Sequence, residues 1–303
     1  MVIGIPRALL YYTYSDLWLH FFENIDVQVI VSPESNKDIV KVGINNSIDE
    51  ACYSSKIFIG HVQYLLDKCD MIFVPHIENS GIREEYCTRI FGLYDLVATT
   101  FPEAKILTAE VNYLFRKKEV DAFVQIGEAL GKSKEESIDA YKSAADFAGK
   151  IKAEKIFQQE KVLDEYDGLK VLMVAHNYNS FDAAIGKDIV NYFEDNDIKV
   201  GYADYVDFRE AKINAKNAYS SRINWRVSTE MIGGIQKYRD KVDGLVIIST
   251  FPCGPDSLFS ELIIRTTHDK PILSLVLDEH DAAAGIQTRL ESFTDILAAK
   301  RTV

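Results

Sequence analysis

The chain has 303 residues, of which 47% are apolar and 26% are charged, and its formal net charge is −12. This length suggests one or two domains with room for sizeable cores, and the composition is typical of a globular protein. The negative charge argues against nucleic acid or an anionic membrane surface as the main partner. No secretory leader and no membrane-spanning apolar run is recognised, so we expect a cytoplasmic protein.

The four cysteines are too few for a disulfide framework in a chain of this length. In a reducing compartment such cysteines are core residues, catalytic thiols or metal ligands. The pattern of the sequence therefore has to decide between these three roles.

In the first half, short apolar runs alternate with amphipathic stretches, which indicates an α/β protein with parallel sheets. The predicted strands cover residues 2–6, 27–32, 70–75 and 104–109. The predicted helices cover residues 7–24 and 54–68. From about residue 112 to residue 165 the pattern is helical, and we expect two or three helices that lead to a second lobe.

The second half repeats this alternation, so the sequence predicts two α/β lobes, over residues 1–150 and 151–303. Its predicted strands cover residues 169–176, 198–204, 243–249 and 271–278. Its predicted helices cover residues 182–197, 255–267 and 284–300. In the segment 205–240, only the later part has a helical pattern.

Three cysteines are predicted at the carboxyl ends of strands, where open α/β sheets bind ligands. Cys253 lies between a buried strand and a helix that Pro255 starts, and Cys52 directly precedes the helix 54–68. Cys87 lies in the long loop after the strand 70–75. Amides at a helix N-terminus favour a thiolate, the form of cysteine that ligates metals, and Cys52 and Cys253 have this setting.

Cys69 differs from these three cysteines, because it joins the end of a helix to the start of a strand, and we expect a buried structural role. The sequence contains no Cys-x2-Cys pair, and the spacings of the other three match no short zinc motif. Judged by spacing alone, burial is the commoner role for such cysteines.

Six stretches, in the same order along the chain, resemble a known family. They are "IGIPRALLYY" at 3–12, "DEACYSSKIFIGHVQYL" at 49–65, "MIFVPHIENS" at 71–80, "VAHNYNSFD" at 174–182, "FPCGPDSLFSELIIR" at 251–265 and "LDEHDAAAGIQTRLESF" at 277–293. With them the chain resembles the activase-related proteins of the 2-hydroxyacyl-CoA dehydratase group, often left as a domain of unknown function. It is more distantly similar to the dehydratase subunits themselves.

This resemblance implies a [4Fe–4S] cluster in a cleft between two flavodoxin-like lobes, held by Cys52, Cys87 and Cys253. A cubane has four irons to ligate, so three thiolates leave one iron for water, substrate or a protein oxygen. In the dehydratase relatives that iron binds the thioester substrate, and an ATP-driven iron–sulfur activase delivers single electrons. The chain departs from the family pattern at Ser54 and at Thr88, where relatives usually have proline.

Further candidates follow from position. Lys56 and His61 lie on the helix after Cys52. Lys56 would approach the cluster or an anionic substrate, and a solvated lysine is the alternative. His61 would donate a hydrogen bond to a cluster sulfide or act as a proton donor, and a hydrogen-bonded structural histidine is the alternative.

The second group of candidates is Asp278, Glu279 and His280, which end a predicted strand. Glu279 and its neighbours would transfer protons or bind a hard cation, and capping the next helix or pairing with Arg289 is the alternative. Three further residues follow predicted strands and are candidate pocket residues: Arg7, Tyr178 and Asn179.

The leading hypothesis is an oxygen-sensitive, cytoplasmic redox protein that accepts electrons from an ATP-dependent activase and reduces or dehydrates a small substrate, for which an acyl-CoA is one candidate. The chain has no phosphate-binding loop, so ATP hydrolysis is expected in the partner. A larger cluster bridged between the copies of a homodimer ranks lower. The alternatives are a non-catalytic electron carrier or cluster-holding scaffold, and a metal-free ligand-binding protein.

Overall fold

The computed structural model describes residues 1–82, 84–218, 224–280 and 283–301. The chain divides into two compact units, each built on a four-stranded parallel sheet. Unit 1 comprises residues 1–152 and 224–226, and unit 2 comprises the described residues of 153–223 and 227–303. The predicted α/β class with parallel sheets is confirmed. No helix among these described ranges is long and apolar enough to cross a membrane.

Unit 1 has a main sheet with the strand order β2-β1-β3-β5 and a separate parallel pair, β4 and β6. Its elements are β1 (Val2–Ile5), α1 (Tyr11–Asn24), β2 (Gln28–Val31), α2 (Lys37–Asn45), α3 (Tyr53–Leu65), β3 (Met71–Phe73), β4 (His76–Asn79), α4 (Thr88–Phe91), α5 (Leu93–Thr100), β5 (Ile106–Leu107), β6 (Glu110–Asn112), α6 (Glu119–Ala129) and α7 (Lys134–Glu165). The division between the units falls within α7.

The core of unit 1 lies where α1 packs on the sheet. Phe21 and Phe22 of α1 are fully buried, and Trp18 meets Phe73 of β3 edge to face at 5.0 Å between ring centroids. Such aromatic pairs add to the stabilisation that burial of apolar area provides. This packing fixes α1 against β3, one of the two central strands of the sheet.

The helix α3 is buried along most of its length, from Tyr53 to Val62. It packs against α2 at two glycines, Gly43 and Gly60. A Cβ atom at Gly43 would lie 2.1 Å from the carbonyl oxygen of Lys56, and one at Gly60 would lie 2.1 Å from that of Ile39. The two backbones therefore approach closely, and this contact holds the helix that begins after Cys52.

Unit 2 has one sheet with the strand order β10-β9-β7-β8, in which all pairs are parallel. Its elements are β7 (Lys170–Val174), α8 (Asn177–Phe181), α9 (Lys187–Asp195), β8 (Lys199–Tyr202), α10 (Phe208–Ala218), α11 (Arg226–Tyr238), β9 (Gly244–Thr250), α12 (Gly254–Thr266), β10 (Ile272–Leu277) and α13 (Ala283–Arg301). The strand β9 is buried at every position.

All eight predicted strands are present in the structure. The predicted helix 182–197 is shorter in the structure and corresponds to α9, which begins at Lys187. Before it the chain turns, where Gly186 passes the backbone of Asn179. The elements that were not predicted are the helices α2, α4, α5, α8 and α10 and the strand pair β4 and β6. The helix α2 starts where the side chain of Asn36 accepts hydrogen bonds from the amides of Asp38 and Ile39.

Both sheets place the first strand of the unit next to the third, with the second and fourth strands outside them. This is the order of the first four strands of the flavodoxin type. The connection after the first strand leads to one side of the sheet and the connection after the third strand leads to the other, so a crevice opens between the carboxyl ends of these two strands. The ligand-binding edges are therefore those of β1 and β3 in unit 1, and of β7 and β9 in unit 2.

Candidate metal-ligating cysteines and their surroundings

Cys52, Cys87 and Cys253 share one local geometry. Each is the N-cap residue of a helix, of α3, α4 and α12 respectively, and each has an extended backbone. None of the three side chains caps its helix, although the three carbonyl groups accept the first helical hydrogen bonds. All three residues are partly exposed. The three thiols therefore occupy similar positions and form no capping hydrogen bond to their helices.

Cys52 has a donor of its own. The hydroxyl of Ser54, which is buried, donates a hydrogen bond to the sulfur of Cys52 over 3.7 Å. The first turn of α3 also carries Lys56, which is only 5% exposed. The Cys52 sulfur is therefore hydrogen-bonded at a helix N-terminus, and the buried Lys56 lies one turn further along α3.

Cys87 follows β4 and lies in the same unit as Cys52. A guanidinium nitrogen of Arg89, two residues after Cys87, donates to the carbonyl oxygen of Glu50, two residues before Cys52, at 3.3 Å. The structure therefore brings the two cysteine-bearing loops of unit 1 next to each other, although 35 residues of sequence separate the two cysteines.

Cys253 lies in a tight turn between β9 and α12. Its amide donates to the carbonyl oxygen of Thr250 at 2.8 Å, and its own carbonyl accepts from both the amide and the hydroxyl of Ser257. The turn therefore holds the backbone of Cys253 from both sides. This places the residue at the ligand-binding edge of unit 2, as the sequence predicted.

Cys69 has a different environment from the other three cysteines. Its thiol donates to the carbonyl oxygen of Leu65 at 3.2 Å and lies against Gly4, where a Cβ atom would be 2.5 Å from the sulfur. Burial raises the pKa of this thiol above its usual value. A protonated, hydrogen-bonded thiol packed against a strand fits the structural role expected for Cys69.

The side chain of His61 is fully buried, and both of its ring nitrogens are engaged. Nδ1 is 2.8 Å from the hydroxyl of Ser32 and Nε2 is 2.9 Å from that of Ser35. Burial, together with the nearby Arg7, lowers the pKa of His61 to about 3. The imidazole is therefore neutral at ordinary pH, which favours the structural interpretation of this residue over proton donation.

Arg7 also lies at the carboxyl end of β1. Its amide donates to the hydroxyl of Ser32, and its guanidinium is 3.8 Å from the carboxylate of Glu34. Its Nε is buried and has no hydrogen-bond partner among the described residues. Because the Nε–H group of Arg7 has no partner among the described residues, the side chain retains the capacity to bind an anion at this edge.

Glu279 follows β10, as expected, and its side chain is largely buried. Its carboxylate is 3.8 Å from Nε2 of His280, which is itself exposed, while Asp278 accepts a hydrogen bond from the amide of His280. The expected pairing partner Arg289 donates to the carbonyl oxygen of Ser274. The acidic pair thus shapes a turn at the strand end, and its role in proton transfer stays a prediction.

His176, which follows β7, was not among the candidates predicted from the sequence. Its Nε2 lies 2.9 Å from the carboxylate of Asp256 on α12, and its ring stacks on Tyr178 at 4.7 Å between centroids. The signal available in the sequence was position, because His176 is the second residue after the first strand of its unit.

A single metal ion and an iron–sulfur cluster require different donors from the protein. Within the described residues, no group of three or more His, Cys, Asp and Glu side chains is arranged to hold a single metal ion. Iron–sulfur clusters are held by cysteine thiolates, and the three N-cap cysteines supply donors of that kind. The residues present therefore fit a cluster by the chemistry of the donor set.

The solved structures to which the chain is similar include the following two, both with low similarity. The laminin-binding adhesin Lmb from Streptococcus agalactiae is 9% identical, with 98% of each chain covered and a TM-score of 0.29. The Zn(II)-bound AdcAII variant of Streptococcus pneumoniae is 12% identical, with 99% of this chain and 98% of that chain covered and a TM-score of 0.28. No curated protein matches the chain.

Residues 2–206 match the family described as "CoA enzyme activase uncharacterised domain (DUF2229)". The match includes Cys52 and Cys87 and ends before Cys253. It spans about two thirds of the sequence, and the chain belongs to this family of activase-related domains.

Proposed function

We propose that this protein is an iron–sulfur redox protein that holds one [4Fe–4S] cluster through Cys52, Cys87 and Cys253, with one iron left open. The observation that carries the proposal is the N-cap geometry that these three cysteines share and that Cys69 lacks. The membership in an activase-related family supports it. Because thiolate ligation needs reduced cysteines, the proposal assigns the protein to the cytoplasm.

The proposed partner is an ATP-dependent iron–sulfur activase that supplies low-potential electrons. The proposed substrate is a small molecule, with an acyl-CoA thioester as the first candidate, and it is reduced or dehydrated. When bound, the cluster would supply one-electron reduction and an open coordination site. Such chemistry is sensitive to oxygen, so we expect an anaerobic function.

The chain's own residues have roles that follow from the contacts described above. The Ser54 hydroxyl would donate to the Cys52 ligand, and hydrogen bonds to cluster sulfurs help set the reduction potential. The buried Lys56 would place a positive charge beside the same ligand. Arg7 would bind an anionic group of the substrate at the edge of β1.

The test is spectroscopy of the anaerobically purified protein. After chemical reduction, a [4Fe–4S] protein gives an electron paramagnetic resonance signal, and a thioester that binds the open iron shifts that signal. A signal that no thioester or small anion moves would favour an electron carrier or scaffold over an enzyme. A colourless protein without stoichiometric iron would refute the proposal in favour of a metal-free ligand-binding protein.

A further inference from the structure

Unit 2 contains a buried ion pair at its ligand-binding edge. His176 follows β7 and Asp256 lies in the first turn of α12, which follows β9. The two side chains are 13% and 5% exposed, and Nε2 of His176 is 2.9 Å from the Asp256 carboxylate. The pair therefore spans the crevice between the first and third strands of the unit, where doubly wound sheets bind ligands.

Stability alone is a poor explanation for this pair. Removing two charges from water costs free energy that their attraction often does not recover, so a buried ion pair is weak evidence for stabilisation. Ionisable pairs in such crevices are, in contrast, typical of functional sites.

The geometry leaves one atom of His176 available. The Asp256 carboxylate accepts from Nε2, which fixes that nitrogen as a donor and leaves Nδ1 as the atom that gains or loses a proton. No described residue forms a hydrogen bond with Nδ1. The stacked ring of Tyr178 holds the imidazole plane, so the ring is positioned for a partner that the described residues do not supply.

The charges around His176 favour its protonated form. Burial lowers the pKa of the imidazole, but Asp256, Asp204 and Glu230 act in the opposite direction and the net change is upward. In contrast to His61, whose burial is not offset in this way, His176 therefore retains its proton to a higher pH.

The pair is also tied to a proposed cluster ligand. Asp256 is the third residue after Cys253, in the helical turn that Cys253 caps. A change of charge at the Cys253 sulfur would therefore act on His176 from within the same turn of structure.

We propose that His176 is the proton donor for the proposed reduction of the substrate and that Asp256 is its positioning residue. This inference rests on the proposed function. When the substrate accepts one electron that originates from the low-potential activase, the Nδ1–H bond breaks, its electron pair stays on the nitrogen, and the proton binds the reduced substrate. The imidazolium becomes a neutral imidazole, which then takes its next proton from water.

The first arm of the test uses cluster-free protein and nitrogen-15 NMR of the histidine side chains. In the wild type, the neutral form of His176 should carry its hydrogen on Nε2. The Asp256→Asn variant should shift the titration midpoint of His176 to lower pH. An unchanged midpoint in Asp256→Asn, or a hydrogen on Nδ1 in the neutral form, would overturn the proposal.

The second arm measures the reduction potential of the loaded protein between pH 6 and pH 9. A more negative charge at the Cys253 sulfur after reduction would raise the proton affinity of His176. The wild-type potential should therefore fall as the pH rises, and His176→Gln should lose this dependence. His268→Gln is the matched control, because His268 is exposed in the loop between α12 and β10, and it should behave as wild type. Iron and sulfide contents should be equal in all three proteins.

The outcomes separate the two proposals. A loaded protein whose potential depends on pH equally in His176→Gln and in wild type overturns the role of His176 and leaves the cluster proposal intact. A wild-type potential that does not change with pH would also overturn the role of His176 and leave the cluster proposal intact. Absence of iron overturns the cluster proposal, and the role of His176 falls with it.

Discussion

The contact between α2 and α3 makes a quantitative prediction for Gly60→Ala. The added Cβ would lie 2.1 Å from the carbonyl oxygen of Ile39 and 3.0 Å from its Cγ2 atom. A backbone oxygen cannot rotate away, so the cost should reach the upper end of overpacking, about 3 kcal/mol. Alanine offsets about 1 kcal/mol of this through its better helix propensity. We therefore expect the free energy of unfolding to fall by about 2 kcal/mol.

The assay is urea denaturation of the full chain, followed by circular dichroism. The matched control is Gly149→Ala, the same change at an exposed position of α7 where no atom lies within 4 Å of the new Cβ. The control should be stabilised by up to about 1 kcal/mol. If Gly60→Ala unfolds at the urea concentration of the wild type or above it, the close approach of α2 and α3 is wrong.

Three further predictions follow from single residues. The pKa of His61 is lowered to about 3 in the folded protein, so the unfolded chain binds more protons below pH 6.5, and the wild type should lose about 2 kcal/mol of stability between pH 7 and pH 5 through this residue. Urea denaturation of His61→Gln should show a shallower loss over this range, and an identical pH slope would contradict the buried neutral state. Cys69 should react with iodoacetamide at pH 8 more slowly than the three N-cap cysteines of cluster-free protein, because burial raises its pKa, and mass spectrometry that finds it the fastest would be inconsistent with its environment. Tyr238→Phe should cost about 1 kcal/mol in thermal or urea unfolding, since its buried hydroxyl donates to the carbonyl oxygen of Tyr205 at 2.6 Å, and a stability equal to wild type would show that this bond contributes nothing.

The strands were predictable because their signal is local. The run "GLVIIST" of β9 is apolar, rich in β-branched residues and buried along its whole length, which is typical of a central parallel strand. The helix α2 was missed because its sequence "KDIVKVGIN" mixes β-branched residues and glycine, so its short amphipathic pattern does not stand out.

The candidate site was predictable in part for the same reason. Pro255 in the first turn of a helix indicated the N-cap position of Cys253. The apolar run after Cys52 indicated that of Cys52. Cys87 begins a helix of four residues, which is too short to leave a periodic pattern.

The ion pair of His176 and Asp256 could not be read from the sequence. Its partners are 80 residues apart, and they meet because β7 pairs with β9 in a parallel register that places Val174 beside Ile247. Local patterns do not contain this register. The same holds for His61, whose two ring nitrogens are hydrogen-bonded to two serines that follow β2 in the chain.

Iron and acid-labile sulfide analysis of anaerobically purified protein tests the central claim most directly. It compares the wild type with Cys52→Ala, Cys87→Ala and Cys253→Ala, and uses Cys69→Ala as the control, because Cys69 donates to a backbone carbonyl and takes no part in the proposed site. We predict about four irons per chain in the wild type and in the control, and a loss of iron in each of the other three variants. Full iron content in all three of those variants would contradict the proposed cluster.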